Sequence, residues 1–248
     1  MATPNVPIRP GSRVSARPPG YFDRSQPVAL RSEEARAEFI TKTYLHLFGA
    51  VLAFTLLEVA YFTTGLALPI AMALLGTSWL LVLGGFVVVS WIATRVAHVT
   101  ESPGAQYAAL GAYVVAESII FVPMLLIAQL EAPGVIQSAA MVTLLGFTGL
   151  TVVVFATRKD FSFLSGILGW CGVVALLLIV SGVVFGFELG TFFSVAMIAL
   201  AGGAILHDTS KVLHHFPEDR YVAAALELFA SVALMFWYVM RLFLSRRD

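Results

Sequence analysis

FSFLSGILGWCGVVALLLIVSGVVFGF, residues 161–187, contains no Asp, Glu, Lys or Arg and decides the fold class. A bilayer core ~30 Å thick needs about 20 helical residues, and without water every backbone N–H and C=O must pair inside the segment. This stretch is long enough to cross as one helix. Outward from it, 59–94, 132–157 and 189–207 are equally free of charged residues. Over all 248 residues 59% are hydrophobic and 12% charged, with a mean hydropathy of +0.89. A soluble domain carries roughly 25% charged residues, so the composition describes an all-α integral membrane protein. A net charge of zero gives no general attraction for polyanions and excludes nucleic acid as an expected partner. The single cysteine, Cys171, lies in the quoted apolar run, excludes an intramolecular disulfide and reads as a small packing residue.

Pro, Gly and charge clusters divide the apolar part into seven candidate spans, roughly 40–64, 71–97, 106–129, 134–157, 161–186, 189–208 and 221–244. Pro123 falls inside the third and predicts a kink there. The pairs Gly84-Gly85 and Gly202-Gly203 suit close helix contact. Residues 1–38 hold six of the eleven prolines and no apolar periodicity, which predicts a disordered cytoplasmic tail ahead of a seven-helix membrane domain over 39–248. No short apolar core follows a basic start, as a cleaved signal peptide would require.

Basic residues orient the chain. With the N-terminus inside, twelve of the fifteen Lys and Arg fall on the inner side and the three opposite loops hold none. Arg241, Arg246 and Arg247 follow the seventh span and lie outside in this arrangement. Arg outnumbers Lys twelve to three, a bacterial bias, so the expected location is a bacterial cytoplasmic (inner) membrane with N-terminus in.

A charge at mid-membrane costs roughly 2.5–3.5 kcal/mol on insertion scales, so intramembrane ionisable residues are functional candidates. There are five: Glu58, Arg95, Glu117, Asp208 and Glu227. Asp208 and Arg95 close their segments at the inner face, and Glu227 sits ~9 Å into the seventh from the same side. Glu117 is near the middle of the third, and Glu58 is towards the outer end of the first. Histidines 207, 214 and 215 beside Asp208 invite a zinc site, but adjacent His214 and His215 point apart on a helix, so no metal centre and no resident cofactor is expected. No Ser-His-Asp order, glycine-rich phosphate loop or Cys-x-x-Cys pair marks an enzyme.

Four stretches carry a family resemblance: FITKTYLHLFGAVLAF at 39–54, ATRKDFSFLSGIL at 156–168, AILHDTSKV at 204–212 and YVAAALELFASVALMF at 221–236. Over about 39–244 the chain resembles the Bax inhibitor 1 (transmembrane BAX inhibitor motif) family. The resemblance implies seven membrane helices with the seventh running through the centre of the other six. It also implies a pH-sensitive leak of calcium or other cations, with suppression of cell death and membrane-protease partners among its other roles. In the family pattern an aspartate on the sixth helix and one on the seventh share a site with an arginine of the second. Asp208 takes the first place and Arg95 the arginine's, while Ser231 stands where the second aspartate is expected.

Asp208 and Arg95 are expected to pair as an inner latch. Glu227, four residues before Ser231 and about 40° round the helix, is expected to supply the missing acid one turn nearer the cytoplasm. Two function classes follow. One is a calcium or cation leak pathway with transient calcium coordination, since a lasting site needs six to eight oxygens. The other is a non-transporting membrane protein that regulates a protease or another membrane protein.

Overall fold

The computed structural model describes residues 26–245, and among them the structure is helical apart from one isolated bridge between Pro27 and Pro217. Eight helices follow a 3₁₀ turn at Val28–Leu30: α1 Glu33–Thr63, α2 Ala67–Leu75, α3 Trp79–Val99, α4 Pro103–Glu131, α5 Val135–Thr157, α6 Leu164–Phe185, α7 Gly190–His214 and α8 Tyr221–Leu244. All but α2 are long and apolar enough to cross a membrane. The shortest of the seven, α3, reaches ~31 Å at 1.5 Å per residue. The chain is therefore a multi-pass integral membrane protein.

Boundaries differ from the sequence reading in three places. The tail expected over 1–38 lies outside the described residues up to 25, but from Gln26 the chain is placed. Val28 is fully buried and its N–H donates to the Phe216 carbonyl at 2.8 Å, and α1 already begins at Glu33 with the Ser32 hydroxyl accepting the Ala35 N–H. The second segment, expected from 71, is two helices broken at Gly76-Thr77-Ser78. The Gly76 N–H closes onto the Met72 carbonyl at 2.9 Å, and a Cβ at Gly76 would sit 3.0 Å from that same oxygen. The resulting α2, ~14 Å long, cannot span. It packs Ala67 and Ala71 on Val122 of α4 instead. The third difference is at the end of α7, which continues six residues past Asp208. Thr209, Ser210, Val212 and Leu213 are all buried, so a stretch that looks polar in sequence is part of the packed bundle. Arg246 and Arg247 lie outside the described residues.

Helix α8 organises the interior. Its backbone packs directly against α1, α3, α4, α5 and α7, while Ala175 of α6 joins Met197 of α7 and Tyr238 of α8 in one buried cluster. Ala223, Ala224 and Ala225 are fully buried and let neighbours approach closely. Further along, Phe121 of α4 stacks on Phe236 at 5.5 Å and meets Trp237 edge-on at 5.0 Å. Gly202 and Gly203 do serve close contact: a Cβ would lie 3.4 Å from Leu150 and 3.2 Å from Leu168 respectively. Gly84 and Gly85 face open space. Helix α4 runs without a break through the buried Pro123. Cys171 is half-buried on α6. Large side chains such as Phe192, 92% exposed, and Phe185, 77% exposed, face outward where a soluble protein would carry charge.

Candidate functional site: the seam between α7 and α8

Helices α7 and α8 run antiparallel through a short turn, so steps down α7 match steps back along α8. This sets two polar rungs about one turn apart. In the first, the Ser231 hydroxyl donates to Asp208 Oδ2 at 2.6 Å, and His207 Nδ1 lies 3.0 Å from Asp208 Oδ1. Ser231 and Asp208 are 7% and 9% exposed. In the second, Lys211, three residues after Asp208, places Nζ 2.6 and 2.8 Å from the two oxygens of Glu227, four residues before Ser231. His98 of α3 completes this rung with Nε2 2.8 Å from Glu227 Oε1, so one carboxylate ties three helices together. Phe216 roofs the cluster, with Lys211 Nζ 5.0 Å from its ring centroid and His98 stacked at 5.7 Å.

The expected partners are thus rearranged. Ser231, at the family's second aspartate position, does meet Asp208. Arg95 does not: it is exposed, its guanidinium lies 5.7 Å from the Trp91 ring centroid, and among the described residues no ion pair joins it to Asp208. Ala93 and Ala97, both buried, mark the packed face of α3, and Arg95 is two residues from each, ~200° round the helix. His98 is the α3 residue that reaches the seam. Glu227 also departs from expectation, since its partners are Lys211 and His98, and Asp208 keeps a separate rung. Lys211 escapes a sequence reading that ends the sixth span at Asp208. The i, i+3 spacing of Asp208 and Lys211 on a longer helix is the signal that could have found it.

The remaining acids sit apart from the seam. Glu117, 6% exposed on α4, lines a cavity of about 610 Å³ walled by α3, α4, α6, α7 and α8. Tyr113 lies one turn earlier on the same helix, and Glu117 Oε2 has no partner among the described residues. Glu188 and Arg241 line the same cavity at the end of the bundle farther from the seam. Glu58, 7% exposed on α1, lines a second cavity between α1, α4, α5 and α8.

Outside the spans, the connection between α5 and α6 braces the end of α7. Asp160 Oδ1 accepts the Ser162 N–H at 2.9 Å and Oδ2 lies 3.0 Å from His215 Nε2. The Ser162 N–H, chiefly, and His215 hold the Asp160 carboxyl down at about 2. Ser210 of α7 accepts the Phe161 N–H at 2.9 Å. The three histidines therefore go to three partners: His207 to Asp208, His214 to the Ser210 carbonyl and His215 to Asp160.

Seven spans with polar rungs buried along a helix seam and carboxylates in cavity walls define a polytopic helical membrane protein with an ionisable interior. The family described as inhibitor of apoptosis-promoting Bax1 matches residues 36–248, and the chain belongs to it. It is similar to an uncharacterised protein of Pseudomonas aeruginosa, 35% identical over 118 residues, which are 44% of this chain and 50% of the relative. The match thus spans half the length of that relative. No solved structure matches the chain.

Proposed function

We propose that the protein is a passive, pH-sensitive pathway for calcium or other cations, closed in this conformation by the α7–α8 seam, rather than an enzyme or a scaffold. The observation that carries this reading is the relation of the Glu117 cavity to the seam. The cavity reaches from Glu188 and Arg241 to a mid-helix carboxylate, and Leu234 in its wall lies three residues, ~4.5 Å of rise, from Ser231. Beyond that point the polar rungs fill the space between the helices. A cation entering the cavity meets Glu117 first and the seam next. The carboxylates are too few for a lasting calcium site, which suits passage of a partly hydrated ion.

The positive-inside distribution supports an orientation with the seam on the cytoplasmic side of a bacterial inner membrane. Acid supplies the gate. Protonating Glu227 removes the counter-charge of Lys211 and loosens the contact of α7 with α8. Calcium influx into liposomes holding the pure protein, followed from pH 8 to pH 5, tests the reading: flux should rise as pH falls, and Asp208→Asn or Glu227→Gln should raise flux at neutral pH. Liposomes that pass no cation at any pH would leave the binding-protein reading in its place.

A further inference from the structure

We propose that the cavity bearing Glu58 is a binding site for a single-tailed amphiphile with a protonated amine head, entered from the lipid side of the bundle. The cavity has a volume of about 420 Å³, within the ~300–1,000 Å³ common for small-molecule sites. Val59 and Leu144 in its rim are more than half exposed on the lipid-facing surface, so a tail reaches it without crossing the protein. Its inner wall is aromatic and aliphatic, with Phe229 and Phe236 contributed by α8.

Against that apolar wall the polar groups are anomalous. Both oxygens of Glu58 are buried without a hydrogen-bond partner among the described residues, and so is the hydroxyl of Thr143, 3% exposed on the facing helix α5. An ionised carboxylate in such surroundings requires a counter-charge. Among the described residues no basic residue lines the cavity. A metal ion does not fit, because Glu58, Thr55, Thr143 and the Gln129 carbonyl bring at most five oxygens, short of the six to eight calcium takes. An ammonium fits both groups: it pairs with Glu58, donates to Thr143 and lies beside the faces of Phe229 and Phe236. The alkyl tail fills the apolar remainder. Because α8 forms the inner wall, occupancy pins α8 to α1 and α5 on the face of α8 opposite the α7–α8 seam, at the level of its rungs.

The test uses full-length protein in maltoside micelles with two diazirine probes of equal tail length, dodecylamine and dodecanol, and peptide mapping of the photolabel. The amine should label the α5 and α8 walls around 140–144 and 229–236 at least tenfold more than the alcohol does. Glu58→Gln should bring amine labelling down to the level of the alcohol. Equal labelling by the alcohol would show a groove for any lipid chain and overturn the proposal. So would labelling of these peptides no stronger than that of the rest of the lipid-facing surface, which would leave Glu58 a buried neutral acid. Retained amine labelling in a folded Glu58→Gln protein would overturn it as well. If that variant does not fold, the contrast between amine and alcohol on the wild-type chain still decides.

Discussion

Replacing Lys211 with Met isolates the ionic rung of the seam. The side chain keeps its apolar stem but loses Nζ, and with it the cation–π contact with Phe216 and the partner bonded to both oxygens of Glu227. Removing one member of a buried pair costs 3–5 kcal/mol, because the other charge is left in low dielectric. Here the lower end applies. Lys211 is 27% exposed against 16% for Glu227, and His98 still faces Oε1 at 2.8 Å. A loss of about 3 kcal/mol is therefore expected, and at 1.4 kcal/mol per tenfold this is roughly a hundredfold shift towards the opened seam. Removing both members, in Lys211→Met with Glu227→Leu, leaves no orphaned charge and should restore stability to within about 1 kcal/mol of the wild type. Thermal or denaturant unfolding in maltoside micelles of the wild type, both single variants and the double variant gives the coupling directly. A Lys211→Met protein within about 0.5 kcal/mol of the wild type, or a double variant whose loss equals the sum of the singles, would refute the rung as an energetic unit.

Ser231→Ala removes the hydroxyl donor to Asp208 Oδ2 and should lower stability by about 1–2 kcal/mol in the same unfolding measurement, while Ser231→Thr keeps the donor and most of the stability. Asp160 has its carboxyl pulled from 3.8 to about 2, so its contribution to stability is present above pH 3.8 and is lost as pH falls through about 2. Carboxyl chemical shifts of Asp160 should titrate near that lower value, and His215→Ala should move the midpoint up only part of the way, because the Ser162 N–H is the larger cause. A periplasmic-type reporter fused after Asp248 should be active outside the cytoplasm if the orientation follows the basic residues, and activity inside would reverse it.

The spans were legible because hydrocarbon imposes its length on any helix that crosses it, and 161–187 satisfies that length without a single charge. What polarity marks poorly is the end of a helix. Thr209–His214 read as a connection, yet they are helical, and four of the six are buried between helices, where membrane thickness sets no limit. Continuous hydrophobicity likewise hid the break at Gly76, which rests on backbone geometry and on packing of α2 against α4. At the site, the family pattern alone set Ser231 opposite Asp208, and the expectation that Glu227 would face Asp208 missed Lys211 and His98. The third helix was not legible either. Arg95 and His98 are three residues apart, and only the small buried Ala93 and Ala97 reveal which side of α3 meets its neighbours. The family pattern and depth pointed to the arginine, and the packed face selected the imidazole.

The two rungs also act as a vernier. A slide of α8 by one turn towards its C-terminus would bring Glu227 level with Asp208, setting two carboxylates together and stranding Lys211. A slide the other way would offer Ser231 to Lys211 and the apolar Met235 to Asp208. Each displaced register loses both rungs and regains at most a Lys211–Ser231 hydrogen bond, which disfavours one-turn ratcheting of this helix pair, of the kind seen in some switching proteins. The motions left to it are rotation and splaying, in which the rungs part in sequence from one end. A carboxylate that loses its charge or its partner thus changes whether the helices separate, and leaves their alignment on return already fixed.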